Sequence, residues 1–282
     1  MTTGMNSALV WAAVLAAGII GTAGAEVSTA PQPAGGATPA QDTSGAPAPQ
    51  AGMAAAPAEC PVAEYAMALR WQQASGEAEA LQRQAYALAR LRLDEALAKK
   101  GDDKLAIVTD LDETVIDNSA LIARDVAACH DFSGWDTWKD WERTGKPTLI
   151  PGAKDFLDYA DSQGVAIFYI SDRYDENKDA TMATLTALAL PQVTGDRVLL
   201  LGPPKGDRRA LAGKDHRIVL MLGDTLHDFD TPFEGKDAAP QKARVAETAD
   251  RFGVDWIVLP NPTYGDFSKS ELSGWDAPIR TE

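Results

Sequence analysis

Apolar positions fall into three regimes along this chain. From Ala8 to Ile20 they form an almost unbroken run of 13 residues. That is shorter than the roughly 20 residues needed to span a bilayer. It ends in Ala23-Gly24-Ala25, a small-x-small pattern, so residues 1–25 are expected to be an export signal cleaved after Ala25. From Glu26 to Ala58 every residue except Glu26, Val27, Asp42 and Met53 is Ala, Gly, Pro, Gln, Ser or Thr. Such a stretch cannot bury enough apolar area to offset its ordering entropy, so 26–59 is expected to be a disordered linker. From residue 60 to 282 the pattern becomes that of a folded domain. Pro61–Gln73 and Glu77–Lys100 are expected helices, a pair over 61–100. Ser75 is placed to cap the second and Gly101 to end it, and Leu81, Ala85 and Leu88 share a face widened by Tyr86, Leu93 and Leu97. Short apolar runs at Leu105–Thr109, Val165–Ile170, Val198–Leu201, Arg217–Leu222 and Trp256–Leu259 are expected buried strands. Lys154–Ser162 and Glu176–Leu190 are expected helices between them. Strands alternating with helices imply a mostly parallel α/β sheet, with ligands bound beyond the carboxyl ends of its strands.

Charge narrows the partners. Lys plus Arg number 26 against 41 Asp plus Glu, a formal net charge of −15, which argues against a nucleic-acid polymer as partner. No Lys or Arg precedes Arg70. Two cysteines and three histidines are too few for a disulfide scaffold or a four-cysteine zinc site. No cysteine lies at the cleavage region, so neither a lipid anchor nor any other stable membrane anchor is expected.

The strand ends carry the chemistry. The first runs into Asp110-Leu111-Asp112-Glu113-Thr114, the second into Ser171-Asp172-Arg173, and Lys205 follows the third. The fourth ends at Gly223-Asp224, with Asp228 beyond it. Paired acids, a hydroxyl, an ammonium and a second acid pair converging on one crevice suit phosphoryl transfer. One carboxylate can take the phosphoryl group and a second can move the proton. The hydroxyl and ammonium can hold the equatorial oxygens. Carboxylates packed against an anionic phosphate require a hard cation, and Mg²⁺ with its oxygen ligands fits.

Val108-Thr-Asp-Leu-Asp-Glu-Thr-Val-Ile-Asp-Asn-Ser119 resembles motif I of the haloacid dehalogenase (HAD) superfamily. Its longer form resembles the class C nonspecific acid phosphatases, secreted or lipid-anchored bacterial enzymes, several of them 5′-nucleotidases. The resemblance covers Trp71 to Gly265. It includes the Ser-Gly-Glu at Ser75, the segment around Trp138, Pro151-Gly152-Ala153, Gly223-Asp224 and Leu259-Pro-Asn-Pro-Thr-Tyr264-Gly265. It implies a Rossmann-like, mostly parallel sheet flanked by helices over a core at 104–265. A small helical cap would be built from the N-terminal helices and the 119–150 insert. By the same resemblance Asp110 is the nucleophile and Asp112 the general acid and base, its backbone carbonyl also contacting Mg²⁺. Ser171, Lys205 and Arg208 would serve the phosphoryl oxygens, and Asp224 and Asp228 the metal. Trp138 and Tyr264 fall where aromatic side chains stack on a substrate ring, which implies small phosphomonoester substrates including nucleoside 5′-monophosphates. The chain departs from the family at Asp172, where Asn is usual, at Thr225, also usually Asn, and at His227, commonly an acid. Asp172 is expected to put a negative charge beside the phosphate.

Three further expectations come from the residues. In an exported chain the even cysteine count favours a Cys60–Cys129 bond. Trp135, Trp138 and Trp141, spaced three apart, are expected on one helix face as an aromatic wall over the crevice. Cysteine-phosphatase chemistry is absent, because Ala66 and Trp135 stand where its arginine would follow each cysteine. No Arg-His-Gly and no Gly-x-x-x-x-Gly-Lys loop occurs. The alternative to a periplasmic or secreted hydrolase is a non-hydrolytic phosphoacceptor or phosphate-binding protein on a similar sheet. The export signal and the second acid at Asp112 weigh against it.

Overall fold

The structure, a computed structural model, describes residues 60, 62–235 and 237–274. The expected export signal and linker lie outside them. Among the described residues no helix is long and apolar enough to cross a membrane.

The chain enters through two helices, α1 (Tyr65–Ala74) and α2 (Gly76–Ala98). Ser75 separates them as expected, its Oγ accepting from Ala78 N at 2.9 Å. The buried face of α2 is Ala78, Gln82, Ala85, Tyr86, Ala89 and Leu93. Leu81, expected on that face, is exposed instead. The stripe follows the small residues that let α2 lie close to the sheet, and Leu81 falls one position outside it. The second helix joins the main core cluster, whereas Leu69 of α1 joins a separate cluster with Leu121, Ile122, Phe132 and Trp138. The cap therefore takes only the first helix of the pair.

Five parallel strands follow: β1 (Leu105–Thr109), β4 (Ala166–Tyr174), β5 (Val198–Leu201), β6 (Arg217–Gly223) and β7 (Trp256–Val258). Their order is β5-β4-β1-β6-β7. β1 lies central and is buried at every position, which is why it reads as a continuous apolar run. The chain grows outward from β1 through β4 to β5, then returns to add β6 and β7 on the other side. The reversal opens a crevice at the carboxyl ends of β1 and β6, where doubly wound sheets bind ligands. Helices α5 (Ala153–Ser162), α6 (Lys178–Ala187), α7 (Lys205–Ala212) and α8 (Ala238–Glu247) connect these strands.

Three findings were not legible in the periodicity. β4 runs past Ile170 to Tyr174, with an irregular register against β5 between Ile170 and Tyr174. Ser171, Asp172 and Arg173 thus sit on an irregular strand end, a common way to aim side chains into a site. The 119–150 insert contains α3 (Ser119–Ala127) and α4 (Trp138–Thr144). It is closed at its base by a short antiparallel pair, β2 (Ile116–Asp117) with β3 (Thr148–Leu149). Finally, the three tryptophans do not share one helix face. Trp135 ends a 3₁₀ turn at φ 58°, and α4 begins only at Trp138.

Cys60 and Cys129 are bonded, with Cα atoms 5.4 Å apart across 69 residues of sequence. The bond joins the entry to α1 to the end of α3, whose side chains share the cap cluster. We expect reduction, or Cys129→Ser, to cost about 2–4 kcal/mol on the loop-entropy scale, read as a lower Tm. Two titratable thiols in the unreduced, denatured protein would contradict the bond.

Candidate active site

β1 delivers Asp110 at its carboxyl end, and the turn that follows is tied down from several sides. Leu111 O accepts from Val115 N and Ile116 N at 2.8 and 2.9 Å, and Tyr86 Oη donates to Thr114 O at 2.6 Å. Glu113 is fully buried at φ 55°, an unusual conformation for a residue with a side chain. Its carboxylate accepts from Asn118 N at 2.8 Å and from the Tyr264 hydroxyl. The turn thereby places Asp110 and Asp112, two residues apart, in different surroundings.

Asp110 faces the acids that follow β6. Lys205, the first residue of α7, donates from Nζ to Asp110 Oδ1 at 2.7 Å and to Asp228 Oδ1 at 2.5 Å. Asp228 ends a 3₁₀ turn, and its Oδ2 accepts from Thr225 N and Oγ1 at 2.9 and 2.8 Å. This gives Thr225 a structural task as the cap of that turn. Gly223 is required beneath it, because a Cβ there would come within 2.4 Å of Asp228 Cβ. Asp224 accepts from Thr114 Oγ1 at 3.2 Å and from Asn261 Nδ2 at 2.8 Å. One carboxylate oxygen from each of Asp110, Asp224 and Asp228 lies within 4.8 Å of the others.

The electrostatics match this crowding. Burial pushes the Asp110 carboxyl well above the usual range; Lys205 opposes the shift, while Asp228, Asp224 and Asp112 add to it. Burial, then Asp228, moves Asp224 up to about 7. Asp228 stays low despite burial, because Lys205 holds it charged. Burial disfavours the Lys205 ammonium, but Asp110, Asp228 and Asp172 outweigh it and raise the group above its ordinary value. Three hard oxygen donors whose mutual repulsion one ammonium only partly offsets are a fitting seat for a divalent cation.

Asp112 turns away from that cluster. Arg173 Nε donates to its two oxygens at 2.9 and 3.2 Å, and Arg173 Nη2 lies 2.8 Å from Oδ1. Asn118 Nδ2 donates to Oδ1 at 2.9 Å and Ser171 Oγ to Oδ2 at 3.1 Å. Arg173 and Asn118 were not singled out as site residues. Arg173 was findable, since residues 171 and 173 of a strand project to one side and 172 to the other. Asn118 lies in the turn that carries Asp112, and no spacing rule points to it.

Arg208 does not present its guanidinium as a substrate contact. It is buried, with Nη1 on Ser171 O at 2.6 Å and Leu199 O at 3.2 Å, and Nη2 on Asp172 Oδ1 at 2.6 Å. It holds the irregular end of β4 from behind. Trp138, expected on substrate, is 5% exposed and packed in the cap cluster. Trp135, 41% exposed, is the accessible member of an aromatic trio, with ring centroids 5.3 Å from both Trp138 and Tyr264.

A parallel sheet whose central strand end carries two segregated carboxylates, beside a lysine and a triad of acids, defines a phosphoryl-transfer hydrolase of the HAD type. Comparison with known proteins agrees. The model of HAD superfamily, subfamily IIIB (acid phosphatase) matches residues 37–267, and the chain belongs to this family. The structure of the class C acid phosphatase from Bacillus anthracis is 41% identical, with a TM-score of 0.70 over 73% of this chain and 87% of that one. The tungstate-bound crystal structure of the Bacillus anthracis class C acid phosphatase gives 41% identity and a TM-score of 0.70, over 74% and 88%. This chain is thus an acid phosphatase, a phosphoric monoester hydrolase acting on small phosphate esters.

Glu142 of α4 is buried against the end of β4, accepting from Asn177 Nδ2 at 2.7 Å and Tyr174 N at 3.2 Å. Burial raises its pKa to about 7, from 4.5. The folded protein therefore binds this proton more tightly than the unfolded chain. The stabilisation is complete below pH 4.5 and lost as the pH rises through 7. Glu142→Gln should therefore gain Tm relative to the parent between pH 5 and pH 8. An equal difference at both pH values would contradict a shifted Glu142.

Proposed function

We propose that the chain is an exported, Mg²⁺-dependent phosphomonoesterase working through a phosphoryl group carried on Asp110, with nucleoside 5′-monophosphates among its substrates. The observation that carries this is the segregation of two neighbouring carboxylates: Asp110 sits on Lys205 beside Asp224 and Asp228, and Asp112 in a cage of Arg173, Asn118 and Ser171. Environments that differ this way assign different roles to like groups.

Asp110 attacks phosphorus while the ester P–O bond breaks, and Asp112 gives its proton to the departing oxygen. Asp112, now a carboxylate, then removes a proton from the water that attacks the phosphoaspartyl group, releasing inorganic phosphate and free Asp110. Lys205 balances charge on the transferring oxygens, and Ser171 Oγ, 3.1 Å from Asp112 Oδ2, would donate to them. Asp110, Asp224 and Asp228 would hold the cation, which when bound neutralises the carboxylates and the phosphate together. The tungstate bound by the Bacillus anthracis class C acid phosphatase, a tetrahedral oxyanion like phosphate, supports an oxyanion site in this fold. The Ala8–Ile20 run with its small-x-small end supports export.

Turnover of p-nitrophenyl phosphate should vanish on chelation and return with Mg²⁺. Asp110→Asn should abolish it with the fold intact, and Asp112→Asn should lower kcat/KM for an alkyl phosphate, whose leaving oxygen needs the proton, by about 10²–10⁴-fold, the usual worth of a general acid–base group. Metal-independent turnover, or a loss below about tenfold for Asp112→Asn, would refute these roles. For the substrate, Trp135→Ala should raise KM for nucleoside 5′-monophosphates by about tenfold, the scale of one base stacked on an aromatic ring, and leave KM for a small alkyl phosphate unchanged. Equal changes on both would remove the nucleotide reading.

A further inference from the structure

We infer that Trp141, in the cap insert, is a positioning residue for proton transfer by Asp112, acting through Asn118. This rests on the role of Asp112 proposed above. The Asn118 side chain is fully buried and its amide orientation is dictated by its neighbours. Its Oδ1 receives the Trp141 indole N–H at 2.8 Å and Arg173 Nη2 at 3.1 Å. An indole N–H and a guanidinium can only donate, so the oxygen must face them. The Nδ2 end is thereby directed at Asp112 Oδ1, 2.9 Å away. Were the amide to flip, two donors would meet an NH₂ group and Asp112 would meet a carbonyl oxygen. Trp141 thus helps fix which Asn118 group the carboxylate of Asp112 meets, without touching that carboxylate itself.

The indole is held in turn by its own helix. A Cβ at Gly145 would come within 2.3 Å of Trp141 Cδ2, so the chain leaves α4 tight against the ring only because residue 145 is glycine. The next residue of α4, Glu142, accepts from Tyr174 N and Asn177 Nδ2 beyond Arg173. A single helix of the insert is therefore fastened to both segments that form the Asp112 cage: to the turn after β1 through Trp141, and to the end of β4 and the turn beyond it through Glu142. This arrangement predicts a cap that sets the geometry of the acid as well as covering the crevice.

The leaving group makes the inference testable. An alkoxide needs its proton in the transition state, whereas p-nitrophenolate departs nearly unaided. The measurement is kcat/KM, which reports the phosphoryl-transfer step, for an alkyl phosphate and for p-nitrophenyl phosphate. Trp141→Phe keeps the ring packing and removes the N–H. We expect it to lower kcat/KM for the alkyl phosphate by about tenfold, the scale of one hydrogen bond to a buried acceptor, and for p-nitrophenyl phosphate by less than about threefold. Trp141→His, which retains a ring N–H, should recover part of the alkyl phosphate rate and serves if Trp141→Phe does not fold. In an Asp112→Asn background Trp141→Phe should change the ratio of the two substrates no further. No loss, equal loss on both substrates, or the same multiplicative loss in both backgrounds would overturn the inference. Asp112→Asn alone separates the two levels of argument: if it slowed both substrates equally, the general-acid role itself would fall.

Discussion

Lys205 bridges Asp110 and Asp228, and the geometry of the whole crevice depends on that buried contact. Three carboxylates with oxygens within 4.8 Å repel one another, and burial raises the cost of each charge. The ammonium is 95 and 23 residues from its two partners, so it can stand between them only once β1, β6 and α7 have come together. The contact is thus a consequence of the sheet order and also a test of it. Removing one member of such a buried group leaves an uncompensated charge, which costs far more than an exposed pair is worth. Gly223, the Thr225 cap and the Asn261 bond to Asp224 all keep the acids at the distances this one cation serves.

A second buried cation, Arg173, keeps Asp112 out of that cluster. Without it, Asp112 would be a fourth like charge beside the other three. With it, the site divides into a charge-dense half suited to phosphate and metal and a hydrogen-bonded half suited to moving a proton. The turn between Asp110 and Asp112 makes this division possible, and the buried Glu113 with positive φ lies inside it. Backbone strain held by surrounding bonds is common where a site demands a particular side-chain direction. Here the bonds from Asn118 N and the Tyr264 hydroxyl to Glu113 hold that turn.

The sheet and the positions of its acids were legible because buried parallel strands leave a plain signal. Four of the five apolar runs lead into polar residues and place Asp110, Asp112, Ser171, Lys205, Asp224 and Asp228 without reference to any contact. Periodicity failed where tertiary contact decides structure. The end of β4 is polar, so it reads as a loop although its backbone continues as strand. The two-residue strands β2 and β3 are too short to show a period. The tryptophans have helical spacing, yet Trp135 belongs to a turn with positive φ. Arg208 illustrates a deeper limit: sequence places a cation near the phosphate site, but only the fold shows both its terminal nitrogens engaged, on Ser171, Leu199 and Asp172. Likewise, nothing in the spacing of Asn118 and Trp141 reveals that one orients the other.

The departures from the family pattern also become intelligible in the fold. Taken alone, Asp172 places an extra negative charge beside the phosphate. In the structure it projects to the side opposite Ser171 and Arg173, with Arg208 at 2.6 Å, His227 Nε2 at 3.5 Å and Lys205 at 3.8 Å. Burial works against its charge, but His227, Lys205 and Arg208 hold it well below the usual carboxylate range. His227 is raised in turn, because Asp172 and Asp228 outweigh its own desolvation. The motif resemblance sets a neutral amide at position 172 and an acid at 227. This chain has the acid at 172 and an imidazole at 227, at the ends of two strands that flank β1, with His227 Nε2 3.5 Å from Asp172 Oδ2. Asp172 and His227 thus hold each other charged. Neither side chain hydrogen-bonds Asp110 or Asp112, so the acid–base division of the site does not run through them.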